Sequence, residues 1–238
     1  MTRVALVTGG SGGIGFACAE ALAGRGYDVV LTARRPEPLQ AAAEKIGARW
    51  IPADSADDTS FATVVEQLDH IDLLVHAAGI LAGTFVRKEK IETFDEVIRA
   101  NLRSVFVVTS ACLPKMGVGG RIIYISSSAG VLPMKGSTAY SASKAGMNAF
   151  ARALADEVAR DGINVNILTP APVETPMIEK VTFPMHTLQS KDVADAVVFL
   201  DGLDPSVVVP EIFMRATDEG PLATDPILPE AYQEKQKP

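Results

Sequence analysis

The chain is poor in the residues that staple or ligate. Its only two cysteines, Cys18 and Cys112, lie far apart in helical patterns and form no C-x-x-C motif. That spacing excludes a disulfide framework and suits two buried free thiols in a reducing cytoplasm. No metal site is expected. Long apolar runs are also missing: none approaches the length needed to span a bilayer, and the first residues enter a strand pattern without a signal peptide. Positive charge is in deficit, with 22 Lys and Arg against 29 Asp and Glu and a net charge of −7. This balance argues against nucleic acid or an anionic membrane surface as a partner. Internal repeats and linkers are absent too.

What is present is a large apolar content, 47% of 238 residues, enough for one substantial core. Strand-like runs fall at 4–8, 28–33, 49–52, 71–76, 121–126, 164–169 and 207–213, with helical patterns at 14–24, 37–46, 58–68, 92–116, 140–160 and 190–200. Such alternation predicts an α/β protein, a Rossmann-type doubly wound parallel sheet of about seven strands with helices on both faces. One domain would cover 1–219. The remainder, 220–238, carries Pro221, Pro226, Pro229 and Pro238 and reads as an irregular tail, either frayed or lying against a neighbouring subunit.

The first strand, Val4-Ala-Leu-Val-Thr8, leads into Gly9-Gly-Ser-Gly-Gly13-Ile-Gly15 and then a good helix former. Strand, glycine turn and helix form the context of a dinucleotide fingerprint. Glycines let the backbone approach a pyrophosphate, whose charge then sits at the helix N-terminus. Farther along, Tyr140-Ser-Ala-Ser-Lys144 puts a phenol and an ammonium one helical turn apart. A cation beside the phenol is expected to lower its pKa and suit it to proton transfer with an alcohol oxygen. The pair alone is common on solvated helix faces; the glycine turn is what lends it weight.

The glycine spacing is T-G-x-x-x-G-x-G (Thr8, Gly9, Gly13, Gly15), and with the downstream Y-x-x-x-K it resembles the short-chain dehydrogenase/reductase family, densely over residues 1–177 and loosely to about 217. The resemblance implies a nicotinamide dinucleotide bound by the turn, including Ser11 and Ile14. At the end of the second strand the acidic residue that takes ribose hydroxyls in NAD-binding folds is missing; Ala33 stands there, followed by Arg34 and Arg35. A guanidinium can bind a 2′-phosphate bidentately, so NADP(H) is expected, with Arg34 the first choice and Arg35 the second. The resemblance gives Asp54 and Ser55 to the adenine end, although Asp54 reads equally well as a helix-capping or turn residue. His76-Ala-Ala-Gly79 stands where the family has N-N-A-G; only Ala78 and Gly79 match, and His76 reads as structural.

The same resemblance assigns catalytic roles to Asn101, Ser127, Tyr140 and Lys144. Ser127 is selected from three neighbouring serines because it stands thirteen positions before Tyr140. Tyr140 would exchange the proton, Ser127 would bind the substrate oxygen, and Lys144 would lower the tyrosine pKa and bind the nicotinamide ribose. Asn101 would hold a water leading to Lys144. Pro170, Val173 and Thr175 match the family's P-G-x-V-x-T-P-M segment, with Ala171 replacing the glycine, and would position the nicotinamide.

Residues 176–189 are expected to form a short lid, with Met177, Phe183 and Met185 as apolar lining or ordinary packing and His186 a weak polar candidate. The implied activity is reversible hydride transfer between NADP(H) and a small carbonyl compound or secondary alcohol. Two other readings are a 3-oxoacyl-acyl-carrier-protein reductase and a non-catalytic NADP-binding redox sensor. Against the first, the last strand lacks the aspartate and two glycines typical of that type. By analogy the subunits would form a homotetramer, otherwise a homodimer, through helices 92–116 and 140–160. The latter carries a small-residue stripe of Ala142, Ala145, Gly146, Ala149 and Ala153.

Overall fold

The computed structural model describes residues 2–178 and 186–217. Seven parallel strands form one sheet in the order β3-β2-β1-β4-β5-β6-β7. They are β1 (Val4–Thr8), β2 (Asp28–Ala33), β3 (Arg49–Pro52), β4 (Leu73–His76), β5 (Arg121–Ile125), β6 (Asn164–Pro170) and β7 (Glu211–Met214). Helices connect them: α1 (Gly13–Ala23), α2 (Pro36–Ile46), α3 (Asp58–Val65), α4 (Ile91–Ile98), α5 (Ser104–Cys112), α6 (Thr138–Val158) and α7 (Ser190–Asp201). The doubly wound fold expected from the sequence is therefore present.

Strand alternation divides the core in two. Leu6, Val30, Leu74, Ile122 and Tyr124 face α3, α5 and α6, whereas Ala5, Val7, Leu31, Val75 and Ile123 face α1, α2 and α7. Strands buried on both faces read as continuous apolar runs, which is why β1 and β5 were legible. Cys18 and Cys112 are free and buried. Burial raises both thiols, that of Cys18 to about 12. At the end of the sheet remote from the glycine turn, buried Asp201 accepts hydrogen bonds from Arg3 (2.7 Å) and Tyr27 (2.5 Å), tying α7 to β1 and to the start of β2.

Several boundaries differ from the sequence pattern: β4 starts at Leu73 rather than 71, α3 ends at Val65 rather than 68, and two differences are larger. Residues 207–210 remain outside β7, where Asn166 Nδ2 donates to the Val209 carbonyl at 2.7 Å. The helix expected over 92–116 is broken: Arg99–Arg103 forms a π-helical turn between α4 and α5, and Leu113–Lys115 tightens into a 3₁₀ turn. A π turn adds one residue to the ladder without changing the apolar period enough to be seen in sequence. The tail 220–238 lies outside the described residues.

Strand order reverses between β1 and β4. In open α/β sheets that crevice, at the carboxyl ends of the strands, is where ligands bind.

Candidate active site

Backbone geometry at the end of β1 depends on two glycines. Gly9 has φ +69°, and a Cβ there would stand 2.9 Å from the Ala78 backbone. A Cβ on Gly15 would meet the Gly9 carbonyl oxygen at 2.4 Å. Only hydrogen side chains let the turn fold back on itself and lie against the strand-end loop after β4. Thr8 reinforces that contact, its Oγ1 accepting from the N–H groups of Ala77 (3.2 Å) and Ala78 (3.1 Å). The α1 N-terminus, free of acidic residues in its first turn, opens into the space beyond.

That space is a cleft of about 690 Å³. Of the residues expected to bind cofactor, Gly9, Ser11, Gly13, Ile14, Gly15, Arg34, Arg35, Asp54, Ser55, Ala78, Gly79 and Thr175 all line it. Tyr140, Lys144, Pro170 and Val173 are not in its wall. Gly79 bridges the two groups: a Cβ there would stand 3.1 Å from the Asn101 Oδ1 and 3.8 Å from the Lys144 Nζ. Thr175 packs its methyl group toward Gly13 and donates its hydroxyl to the Val173 carbonyl at 3.2 Å. Close backbone approach, a helix N-terminus and two exposed arginines at one end suit an elongated dinucleotide carrying phosphates.

Asp54 is a turn residue rather than a helix cap. Its Oδ1 accepts from the Ala56 N–H at 2.9 Å, while Asp57 caps α3 through the Ser60 N–H at 2.7 Å. Burial pushes the Asp54 carboxyl up, but the Ala56 N–H and the Arg99 guanidinium, with Arg34 beyond, outweigh it and hold the group below its ordinary range.

The catalytic candidates converge from three elements. Helix α6 carries Tyr140 and Lys144 on its buried face. Ser127 follows β5 at the entrance to the Ser128–Gly130 turn, its hydroxyl accepting from the Ala129 N–H at 3.2 Å and lying close enough to the Tyr140 phenol to act on its pKa. Gly130, which sequence reasoning did not single out, lets this turn rest on α6: a Cβ there would stand 2.8 Å from the Lys144 main-chain carbon. Lys144 directs its Nζ to the Ile125 carbonyl at 2.8 Å. The π turn delivers Asn101, whose Oδ1 accepts from the Ile80 N–H (2.8 Å) and whose Nδ2 donates to the Ile80 carbonyl (2.9 Å) and the Ser143 hydroxyl (3.1 Å). The Asn101 amide thus fastens the segment after β4 to α6, and its side chain is committed to protein groups.

One electrostatic expectation is corrected. The Tyr140 phenol is raised, not lowered: burial is the largest influence and the Ser127 hydrogen bond opposes it only in part. Lys144 stands 6.0 Å from the tyrosine ring centre and is itself lowered by burial to about 8. Desolvation of both groups outweighs the attraction that i, i+4 spacing suggests.

His76, at the end of β4, is fully buried beside Tyr124, with ring centres 6.0 Å apart. Burial first, and Lys144 second, depress its pKa to about 4; the Ser104 backbone opposes this without a hydrogen bond of good geometry, and neither ring nitrogen has a partner. His76 is absent from the cleft wall, in keeping with its structural reading.

Met177, which lines the cleft, is exposed, as are Phe85 and Met134 outside its wall, and the Phe85 ring lies 3.8 Å from where a Cβ on Gly136 would stand. His186 is exposed; Phe183 and Met185 lie outside the described residues. Sequence reasoning missed Arg99, which lines the cleft and pairs with Asp54 at 2.7 Å. Among the described residues no cluster of His, Cys, Asp and Glu suits a metal ion, and no helix is long and apolar enough to cross a membrane.

Comparison with known proteins agrees with this geometry. The model of the short chain dehydrogenase family matches residues 3–184. An uncharacterized oxidoreductase of Staphylococcus epidermidis is 33% identical over 222 residues, covering 90% of this chain and 96% of that protein. The 3-oxoacyl-acyl-carrier-protein reductase of Escherichia coli is 38% identical over 183 residues, 74% of this chain and 75% of its own. Among solved structures, a short chain dehydrogenase from Burkholderia cenocepacia in complex with NADP superposes with a TM-score of 0.82 at 31% identity, covering 90% of this chain and 96% of that one. The chain belongs to the short-chain dehydrogenase family and is an oxidoreductase of the kind that uses a nicotinamide cofactor.

Proposed function

We propose that the protein is an NADP(H)-dependent carbonyl reductase, run in reverse as an alcohol dehydrogenase, with Tyr140 as general acid and base. The convergence of Ser127, Tyr140 and Lys144 at the Gly79 end of the cleft carries this reading. A redox sensor that only binds dinucleotide has no need of that set. Arg34 and Arg35 would take the 2′-phosphate, since Ala33 stands at the end of β2 in place of the carboxylate that would hold ribose hydroxyls and repel it. The NADP-bound relative supports the same choice.

The nicotinamide supplies the hydride when bound. Ser127 would donate a hydrogen bond to the substrate oxygen and steady its growing negative charge. Tyr140, kept protonated at neutral pH by burial, would release its phenolic proton to that oxygen and recover it in the opposite direction. Lys144, cationic below about pH 8, would favour the transient phenolate and hold the ribose hydroxyls. Asn101 keeps Gly79 and α6 in register, and Pro170, Val173 and Thr175 would border the nicotinamide. Exposed Met177, in the cleft wall, suits a small substrate with an apolar end. Of the lid expected over 176–189, residues 179–185 lie outside the described residues.

We assign the enzyme to the cytoplasm, where its two buried thiols stay reduced. Association as a homotetramer, or otherwise a dimer, is supported by the exposure of Ala142, Ala145, Ala149 and Ala153 along α6 and of Phe106 on α5. Gly146 instead packs against Leu102.

The deciding experiment follows initial rates of NADPH and NADH oxidation with ketones, aldehydes and β-keto esters, using wild type and Tyr140→Phe. NADPH turnover that falls by about 10²-fold or more in the variant is the expected result; a preference for NADH would sink the cofactor assignment. The similarity to a 3-oxoacyl-acyl-carrier-protein reductase favours a second reading. Rates on a carrier-bound 3-oxoacyl thioester far above those on free β-keto esters would select it.

A further inference from the structure

The π-helical turn does more than deliver Asn101. Arg99 Nη2 reaches the Asp54 Oδ2 at 2.7 Å, and Arg103 Nε donates to the Ala56 carbonyl at 3.0 Å. Two arginines four positions apart therefore grip the loop that follows β3. Asp54 and Arg99 line the same cleft as Arg34 and Arg35, and Arg34 stands close enough to act on the Asp54 charge. Two guanidiniums, Arg99 in contact and Arg34 beyond it, thus act on one carboxylate in the wall of the cleft.

We propose that Arg99 is a specificity-determining residue for the phosphorylated dinucleotide, acting by neutralising Asp54 beside the arginines that take the 2′-phosphate. This rests on the NADP(H) reading above. An unpaired carboxylate in that cluster would draw Arg34 toward itself and repel a phosphate, whereas a dinucleotide without the phosphate would feel little of either. Arg99 ends both effects by occupying Oδ2, while the Ala56 N–H occupies Oδ1. The ion pair is only partly shielded, with side-chain exposures of 43% for Arg99 and 30% for Asp54, so its influence is screened by salt. A mere tether for the loop is the competing role, and it predicts equal weakening of both dinucleotides.

The test titrates NADPH and NADH into the full chain, following nicotinamide fluorescence, with wild type, Arg99→Gln, Arg99→Lys, Asp54→Asn and the Asp54→Asn/Arg99→Gln double variant. Arg99→Gln is expected to raise the NADPH Kd about tenfold and the NADH Kd less than about twofold. Arg99→Lys should recover most of the loss, and high salt should shrink it. In the Asp54→Asn background the Arg99→Gln change should lose its effect, because no charge remains to neutralise. Equal losses for both dinucleotides, or a loss that persists without the Asp54 charge, would overturn the proposal. A wild type that binds NADH more tightly than NADPH would instead overturn the cofactor reading and this inference with it. Thermal melts of each variant separate these outcomes from misfolding.

Discussion

Lys144 holds its ammonium 2.8 Å from the main-chain carbonyl of Ile125, the last residue of β5. That bond anchors a cation which burial makes unfavourable. The folded pKa of about 8 lies below the unfolded value, so the two states bind the same proton below pH 8 and the penalty is fully present there. Stability gained by deprotonation appears as pH rises from about 8 toward about 10.4.

Lys144→Met is therefore expected to stabilise the protein at pH 7 while abolishing turnover. The gain should be about 1–2 kcal/mol, less than the full desolvation cost, because the Ile125 carbonyl loses its donor. Urea unfolding of both proteins should show the gap narrowing as pH increases from 8 to 10. A variant less stable than wild type at every pH would contradict the account.

His76 sets the acid limb. Its folded pKa of about 4 lies below the unfolded value, so the unfolded chain takes up a proton that the folded chain refuses. Stability falls as pH drops through about 6.5 toward 4, by about 2 kcal/mol at pH 5. His76→Asn cannot titrate and should flatten that limb, which thermal melts between pH 7.5 and 4.5 would reveal.

Asn101→Ala deletes three hydrogen bonds of a fully buried side chain and leaves the Ile80 N–H without a side-chain acceptor. A loss of about 2–4 kcal/mol is expected, with activity reduced at least about tenfold because Gly79 and α6 lose their registration. Unchanged urea midpoints would refute it.

Gly15→Ala drives a methyl group into the Gly9 carbonyl oxygen, since a Cβ would stand only 2.4 Å away. The turn must open, and NADPH affinity should fall by about 10²-fold or more, measured by fluorescence titration. Gly12→Ala, where a Cβ meets no atom within 4 Å, should be tolerated far better.

The sequence by itself determined the elements and most of the cleft lining. Strand β1, the glycine turn and α1 are local: apolar runs, glycines at set spacings and helix formers impose them over a few residues. The position of Arg34 and Arg35 at the end of β2 followed from the same logic, as did the shared helix face of Tyr140 and Lys144. Tertiary structure alone decided the rest. The helix over 92–116 gave no sign of its π turn, because an inserted residue leaves the apolar pattern almost intact, yet that turn brings Asn101 to Ile80 and Arg99 to Asp54. The spacing of Tyr140 and Lys144 suggested a lowered phenol, but burial reversed the sign. Helical spacing is a property of neighbours along the chain. Desolvation depends on every element packed around a group, and only the folded protein assembles those.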